Sequence, residues 1–421
     1  MAAAIACGDS TGSSPQAIEG GGVTGGVIES VVYVHVLDEA TGQPISGARV
    51  NLGGLDERTD SEGLAMVSAD SEGGQSLTVA IAGYTTTTWF GVLGANVTIP
   101  MRLLTEPTLK ISGSIAGWAE LPDPIAGHYL IAEVEYTRRS TMQDWTNKID
   151  QEGSGQFAND TCFDLSTPTE CSFSVTTRTG PQALHALIFD GDDMGTPDDF
   201  SDDIREVIGL AFLPGLNGVG GVDQTGIELQ IIPGRDLFPF QIKLPDIATQ
   251  VIGVAGIEVA DGVLVFNQKA TKESPSVVLP KLAGAFANGN YWVIAMESGT
   301  AGSSQPRTNF ERDLVDTETA SIGEFLSEQS SLVRESGSVF RLGTAPGASL
   351  RRIQFWQDQS LVWEGLVLDD RMLVEVPSLP AGDYEAHATA FEVEFSPMQF
   401  ELTTVLESIE RLSSGESSIS L

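Results

Sequence analysis

Alternation of apolar and polar side chains constrains the fold of this chain more than any other feature of its sequence. In one segment Val32, Val34 and Val36 point to one side of an extended strand, while Tyr33 and His35 point to the other. A period of two residues is typical of a strand with one buried face, and helical spacing is scarce. The pattern therefore predicts an all-β fold of serial β-sandwich modules, immunoglobulin-like in architecture, with little helix.

The net charge of the chain excludes some classes of binding partner. The chain has 421 residues, with 58 Asp and Glu against 22 Lys and Arg, so its formal net charge is −36. Such a surface repels phosphate backbones and anionic headgroups, and we expect no nucleic-acid binding. No apolar run reaches the 18 or so residues that a membrane-spanning helix needs. The length suggests about three domains.

Two of the three cysteines flank a short turn. Cys162 and Cys171 enclose eight residues that include Pro168, which predicts a hairpin loop whose ends come within disulfide reach. We expect a disulfide, which would place the protein in an oxidising compartment. The alternative is a pair of free, buried thiols in a cytosolic protein.

The third cysteine follows small residues near the start of the sequence. Cys7 comes after Ala4-Ile5-Ala6 and before a stretch rich in Gly, Ser and Thr, which we interpret as a flexible linker over residues 8–28. This arrangement resembles a bacterial lipoprotein processing site, although Ala4 replaces the usual Leu and a full signal segment would have to lie upstream. The resemblance implies lipid on Cys7 and anchoring in the outer membrane or at the cell surface.

Three segments of the first module carry a family resemblance. They are the segment from Asp38 to Val50, the turn from Thr59 to Leu64, and the pair Gly83-Tyr84. In this order and spacing they resemble the carboxypeptidase regulatory-like domain. The resemblance covers residues 29–104 and implies a transthyretin-like sandwich that is not catalytic. It also implies a fold related to starch-binding modules and common on secreted proteins.

An internal repeat sets the remaining boundaries. The segment 278–282 is followed by Gly289-Asn290-Tyr291, and the segment 375–379 is followed by Gly382-Asp383-Tyr384. We interpret each copy as a turn followed by a strand whose aromatic side chain fills a sandwich core. The predicted organisation is a lipoprotein-like start and linker at 1–28, sandwiches at 29–104, 105–234, 235–337 and 338–408, and a disordered tail at 409–421.

Two segments are predicted to form short helices. Residues 196–208 begin with Thr196 and Pro197, which suit the N-cap and first helical position, and Asp198 and Asp199 suit the positive end of the helix dipole. Residues 321–334 carry apolar side chains at helical spacing.

An acidic cluster precedes the first of these helices. Asp190, Asp192 and Asp193 are oxygen ligands of the kind that calcium prefers, in an order similar to the start of an EF-hand loop. Met194 stands where an oxygen ligand belongs, and Ser201 stands where the bidentate Glu belongs. The cluster is interpreted as a candidate for weak calcium binding or as a solvated acidic loop. No other cofactor is expected.

Catalytic signatures are missing from the sequence. The four histidines, His35, His128, His185 and His387, are far apart and lie in or beside strand-like segments. The string Gly8-Asp9-Ser10-Thr11-Gly12 lies in the predicted linker, so there is no Gly-x-Ser-x-Gly nucleophile elbow between a strand and a helix, and there is no His-Glu-x-x-His or phosphate-binding Gly loop. We therefore expect a protein that is not an enzyme. An enzyme with a divergent acidic site is the least favoured class.

Binding is the favoured activity. Trp118 and Trp145 lie outside clear strands and are predicted to be exposed platforms for stacking a sugar ring, although an aromatic in a sandwich is more often core filling. The sequence is interpreted as an exported, lipid-anchored envelope protein that acts by display or binding, with a glycan or an envelope protein as ligand. The alternative is a carbohydrate-binding accessory protein.

Overall fold

A computed structural model of the protein describes residues 15–69, 74–105, 107–138, 159–164, 169–196, 203–247, 251–260, 263–297, 307–315, 317–326, 331–358 and 360–421. The fold is all-β, and the predicted fold class of sandwich-like β modules with little helix is confirmed. The chain divides into two compact units. The first comprises residues 1–103, 363–369 and 395–405, and the second comprises the rest.

The first unit contains two groups of paired strands. In the five-stranded sheet, residues 400–401 are followed in order by β1, β8, β2 and β5. In the other group, residues 363–367 pair in parallel with β7, and β6, β3 and β4 follow. Val32, Val34 and Val36 are fully buried, as their alternation predicts. The strands are β1 (Gly22–Val27), β2 (Val31–Asp38), β3 (Arg49–Leu52), β4 (Leu55–Arg58), β5 (Leu64–Ser68), β6 (Gln75–Ala80), β7 (Thr86–Val92) and β8 (Gly94–Met101).

The predicted linker over residues 8–28 is wrong in its last part, because β1 pairs with β8 and with residues 400–401. The backbone of Gly22 lies against that of Phe400, and a Cβ at position 22 would be 2.2 Å from the Phe400 carbonyl oxygen. The glycines therefore permit close approach of two backbones. A Gly-rich composition indicates flexibility only where nothing packs against it.

The second unit begins with a seven-stranded sheet in the order β11, β10, β13, β14, β15, β9, β12. Its inward side chains, which include Ile111, Leu130, Phe173 and Leu184, form one apolar cluster. The strands are β9 (Thr108–Ala116), β10 (His128–Arg138), β11 (Asn159–Asp164), β12 (Ser172–Arg178), β13 (Gly180–Asp192), β14 (Ile204–Gly218) and β15 (Gln224–Ile231), with a 3-10 turn at Trp118–Glu120.

The helix predicted over residues 196–208 is wrong where the structure describes that segment. Residues from Ile204 onward form β14, paired with β13 through Asp192↔Ile204 and Gly191↔Arg205. The spacing of Ile204 and Val207 fits a helix locally, but twelve of the fifteen residues of β14 pair with β13. Pairing along a long hairpin outweighs a local propensity of a few tenths of a kcal/mol per residue.

The next strands build a second core on the back of this sheet. Phe240, Phe266 and Tyr291 cluster with Leu187 and Phe212, which project from the outer face of β13 and β14. The strands are β16 (Leu237–Lys243), β17 (Val251–Ala260), β18 (Val263–Ala270), β19 (Ser276–Pro280), β20 (Asn290–Glu297), β21 (Arg307–Leu314) and β22 (Thr319–Ser321), with 3-10 turns at Gly234–Asp236 and Gly284–Phe286. The sheets on either side of residue 235 thus share a core.

The last strands reproduce the predicted repeat. Tyr291 and Tyr384 are both buried, and each donates its hydroxyl to a proline carbonyl, Pro280 at 3.0 Å and Pro380 at 2.6 Å. The aromatic core filling predicted from the repeat is therefore present in both copies. The elements are β23 (Leu332–Ser336), β24 (Val339–Leu342), β25 (Leu350–Gln357), β26 (Ser360–Val367), β27 (Leu373–Glu375), β28 (Asp383–Glu392), β29 (Phe400–Glu401), α1 (Leu402–Glu407) and β30 (Arg411–Ser420).

The helix predicted over residues 321–334 is also wrong in the described part. Asn309 Nδ2 donates to the Glu324 carbonyl at 2.7 Å, and Arg307 Nη1 donates to the Leu326 carbonyl at 2.9 Å. These carbonyls are bound by side chains of β21 instead of by helical amides. Phe325 is buried in the second core.

The tail predicted to be disordered over residues 409–421 is a strand. β30 pairs with β28 along its length and with β21 at its start. Ser413 and Ser414 are buried there, at 0% and 4% exposure. Small polar residues look like a solvated tail in the sequence, but between two neighbouring strands they pack without crowding.

Candidate functional site

The disulfide between Cys162 and Cys171 is present, with a Cα–Cα distance of 5.5 Å. The predicted hairpin is not, because β11 pairs with β10 and β12 pairs with β9. β11 and β12 are the two edge strands of the seven-stranded sheet. The disulfide therefore joins the two edges of one sheet and closes its core covalently.

Trp118 is buried, at 1% exposure, and the prediction of an exposed stacking platform is wrong. Its ring lies in the same apolar cluster as Cys171, and Nε1 donates to Asp164 Oδ2 at 2.7 Å. Since Asp164 ends the edge strand β11 and Trp118 follows β9, the neighbour of the other edge strand β12, this hydrogen bond closes the same side of the sheet as the disulfide. In β-sandwiches a Trp side chain usually fills the core, and its indole N–H donates to a hydrogen-bond acceptor.

The acidic cluster lies at one end of the same sheet. Asp190 and Asp192 close β13 beside His128, the first residue of β10. Asp190 Oδ1 lies 3.0 Å from His128 Nδ1, and Asp192 Oδ2 lies 3.8 Å from His128 Nε2. The imidazole therefore sits between two carboxylates that are far from it in sequence.

The remaining carboxylate oxygens organise a tight turn. Asp192 Oδ1 accepts the Met194 N–H at 3.0 Å, and Asp193 Oδ1 accepts the Gly195 N–H at 2.8 Å. Met194 adopts a positive φ of 49°. Short Asp side chains that accept nearby amides stabilise this kind of turn. The turn and the pairing with His128 thus account for the three Asp residues that the predicted helix leaves unexplained.

A second polar network lies on the opposite face of the same strands. The Tyr129 hydroxyl donates to Asp203, and Arg205 Nε approaches that hydroxyl at 3.3 Å. Arg205 Nη1 donates to Glu133 Oε1 at 3.0 Å. Burial raises the pKa of Tyr129, as does the hydrogen bond to Asp203. Burial also raises the pKa of Glu133, against the opposing effect of Arg205.

The sequence did not predict this network of Tyr129, Glu133, Asp203 and Arg205. Its members come from β10 and from the start of β14 with the residue before it, and they are up to 76 residues apart. One signal is present in β10, whose sequence HYLIAEVEYTR places Tyr129, Glu133 and Glu135 on one face of the strand. Carboxylates that alternate with apolar residues indicate a face with polar partners, but they do not tell which strand supplies them.

Metal binding at the acidic cluster stays a prediction. Within the described ranges, no group of three or more His, Cys, Asp or Glu side chains is arranged to hold a metal ion. Asp198 and Asp199, together with Cys7 and Trp145, lie outside those ranges.

The other histidines occupy separate environments. His35 is 7% exposed in β2, and burial lowers its pKa. His185 is 1% exposed, with its Nε2 3.3 Å from Glu135 Oε2 and its ring 5.4 Å from Phe266. His387 Nε2 lies 2.8 Å from Glu385 Oε1. None of the recorded partners of these imidazoles in the described part of the chain is a Ser or Cys nucleophile.

The end of the sheet near His128 can offer hydrogen-bond acceptors beside apolar surface. Ile125, Met194 and Ile204 are more than half exposed there, at 67%, 51% and 59%. Side chains of this kind next to oriented carboxylates suit a binding surface.

No helix in the described residues has the length and hydropathy to cross a membrane.

Comparisons with known proteins do not assign a family. No protein family and no curated protein matches the chain. Among solved structures, the TIE protein of Bacillus anthracis is 11% identical with a TM-score of 0.16, over 69% of this chain and 49% of that one. A DUF3823 family protein from Bacteroides uniformis is 8% identical with a TM-score of 0.14, over 46% of this chain and 99% of that one. The chain thus spans about half the length of the first.

Proposed function

We propose that this protein is exported, anchored by lipid on Cys7 in the bacterial envelope, and acts by displaying β modules that bind a ligand. It carries out no reaction in this proposal. Its ligand is a glycan or another envelope protein.

The observation that carries the proposal is the disulfide between the edges of the seven-stranded sheet. Disulfides form and persist in oxidising compartments and are rare in the cytosol. Cys162 and Cys171 are separated by nine positions in sequence and belong to opposite edges of the sheet. A bond that closes a core in this way supports folding outside the cytosol.

Three sequence features agree with export and display. Cys7 follows small residues and precedes a polar segment, the first module resembles the carboxypeptidase regulatory-like domain, and the net charge is −36. A thioether-linked lipid supplies about 0.8 kcal/mol per buried CH₂, so two or more acyl chains anchor stably. Serial β modules beyond an anchor then present their surfaces to the surroundings.

The polar contacts support binding over catalysis. The recorded contacts of His128 are with Asp190 and Asp192, and the carboxylates of Asp192 and Asp193 are used by a turn. General acid–base catalysis needs a group within reach of a reacting atom, with a pKa near the operating pH. Side chains used in structural hydrogen bonds of this kind fit a framework for recognition.

The experiment is expression from the natural gene with its upstream sequence, followed by fractionation, intact-mass measurement and non-reducing peptide mapping. We expect an envelope fraction, acylated Cys7 and a Cys162–Cys171 peptide pair. An unmodified cytosolic chain starting at Met1, with two alkylatable thiols at Cys162 and Cys171, would overturn the proposal. Cys7→Ser should leave the disulfide intact and release the protein from the membrane fraction.

The alternative function is that of a carbohydrate-binding accessory protein. The resemblance of the first module to a fold related to starch-binding modules supports it. A glycan array probed with the soluble full chain separates this alternative from protein binding, since only a carbohydrate binder gives signal that free glycan competes away.

A further inference from the structure

The face of the last sheet near the β25–β26 turn combines an aromatic ring with polar side chains. Trp356 on β25 is opposite Glu385 on β28, and two residues along, Gln354 is opposite His387, which is opposite Glu416 on β30. Side chains two residues apart on a strand share a face. We call this set of five residues the Trp356 face. It lies entirely within the second unit.

The solvent exposure of the side chains decreases from one row of this face to the next. Glu385 and Glu416 are exposed, Trp356 and the His387 side chain are half-buried, and Gln354 is 3% exposed. The next row of the same face, Arg352, Thr389 and Ser414, is buried. The face is therefore open beside Trp356 and closed towards Arg352.

The aromatic part of the face is held in place. The rings of Trp356 and His387 are 6.5 Å apart between centroids, at an interplanar angle of 66°. His387 Nε2 in turn lies 2.8 Å from Glu385 Oε1. A half-buried indole with an oriented neighbour offers a preformed surface, so a ligand that stacks on it loses little to reorganisation.

Gln354 supplies an independent observation. Its Nε2 is buried and has no hydrogen-bond partner. A buried donor without an acceptor is destabilising, so an acceptor supplied by a ligand is favoured there. The strand directs this side chain to the same face as Trp356 and His387. Because the terminal torsion of Gln is broad, the amide can turn its N–H towards an acceptor that arrives beside Trp356.

From this arrangement we infer that the Trp356 face binds a neutral saccharide. A pyranose ring has a C–H face that packs on an indole and hydroxyl groups at its rim. A sugar hydroxyl can accept a hydrogen bond from Gln354 Nε2. It can also donate a hydrogen bond to the carboxylate of Glu416 or Glu385. The inference rests on the proposed binding function and names its ligand class and its site.

Charged ligands fit the face less well. An anion would meet Glu385 and Glu416 on a protein of net charge −36. A cation could lie over Trp356 and beside the carboxylates. A cation without an oxygen atom, such as tetramethylammonium, carries no acceptor for the Gln354 amide, however, so the buried donor would stay unpaired. Only an uncharged polyhydroxyl ligand pairs with every group on the face.

The test is calorimetry of the full soluble chain with four neutral probes: maltohexaose, cellohexaose, xylohexaose and chitohexaose. We expect at least one probe to bind with a Kd of about 1 mM or tighter. Trp356→Ala should weaken that binding at least about tenfold, Gln354→Leu should weaken it similarly, and Trp356→Phe should retain part of it. Tetramethylammonium and sulfate serve as the cationic and anionic probes and should not compete.

Substitution of Trp356 could disturb the fold, so two exposed glutamates, one on the Trp356 face and one away from it, provide a milder test. Glu416→Gln should weaken binding severalfold, whereas Glu62→Gln in the first unit should not change it. Far-UV circular dichroism checks that each variant keeps its strands. Absence of binding to all four probes would overturn the inference, and so would affinity that survives in both Trp356→Ala and Glu416→Gln.

The outcome is separable from that of the proposed function. If the saccharides do not bind while Cys7 is acylated and the disulfide is formed, the envelope protein has another ligand. If a saccharide binds and the variants locate it at Trp356 in a chain without lipid, the site stands and the proposed anchoring fails.

Discussion

At the scale of single residues, Asp38 joins parts of the first unit that are distant in sequence. Its Oδ1 accepts the Thr41 N–H and hydroxyl at 2.8 Å each, and its Oδ2 accepts the Tyr84 hydroxyl at 3.0 Å. The segments that carry the family resemblance in the sequence, around Asp38 and at Gly83-Tyr84, therefore meet in space. One carboxylate holds a tight turn and anchors the connection between β6 and β7, 46 residues away.

This contact predicts a pH effect at the first unit. Desolvation, together with the hydrogen bond and charge of Asp38, raises the pKa of Tyr84 from 10.0 to about 12. The folded state keeps its proton while the unfolded chain loses it, so the contribution to stability is complete below pH 10 and is lost as the pH rises towards 12. The tyrosinate absorbance of the wild-type protein minus that of Tyr84→Phe should show a midpoint near 12. A difference curve centred near 10 in the folded protein would contradict this.

At the scale of elements, the second unit depends on a covalent link between edge strands. The core inside the seven-stranded sheet is bounded on one side by β11 and on the other by β12, and Cys162 and Cys171 join them. The hydrogen bond from Trp118 to Asp164 joins β11 to the turn after β9, the neighbour of β12. Edge strands that meet in this way leave less open backbone for pairing with other chains.

Removing that link should loosen both edges together. Closing a loop of nine or ten residues stabilises by about 2.5–3 kcal/mol in the chain-entropy model. In Cys162→Ser/Cys171→Ser, we expect amides of β11 and β12 to exchange with hydrogen faster by a factor corresponding to that free energy. Amides of β2 in the first unit, measured in the same sample, serve as the control and should not change. Equal acceleration in β2 would show that the bond stabilises more than its own sheet.

At the scale of the whole molecule, charge acts against compactness. The net charge of −36 comes from 58 acidic and 22 basic residues. Some acids are paired, as Glu297 is with Arg307 and Glu392 with Arg411, but 22 basic residues are too few to neutralise 58 acids. Carboxylates of one sign on a folded surface repel one another and favour expansion.

Salt should therefore stabilise this protein. Raising sodium chloride from about 10 mM to about 500 mM shortens the Debye length from about 30 Å to less than 5 Å and screens the repulsion. We expect the midpoint of thermal unfolding to rise by several degrees over this range. Sodium perchlorate at the same concentrations tests whether screening or anion type is responsible, because screening depends on ionic strength alone. A midpoint that falls with added chloride would contradict the argument.

The sequence by itself determined that the alternating segments are strands and which of their faces are buried, as Val32, Val34 and Val36 show. It also determined the repeated core tyrosines and the cysteine pair. These are local properties, because the alternation and the turns depend on neighbouring residues. Tertiary structure alone decided that Trp118 is buried, that His128 meets Asp190, that the Gly-rich segment at Gly22 pairs, and that the serine-rich end becomes β30. Each depends on which distant strand lies alongside, and residues 62 positions apart, such as His128 and Asp190, carry no mark of each other in the sequence.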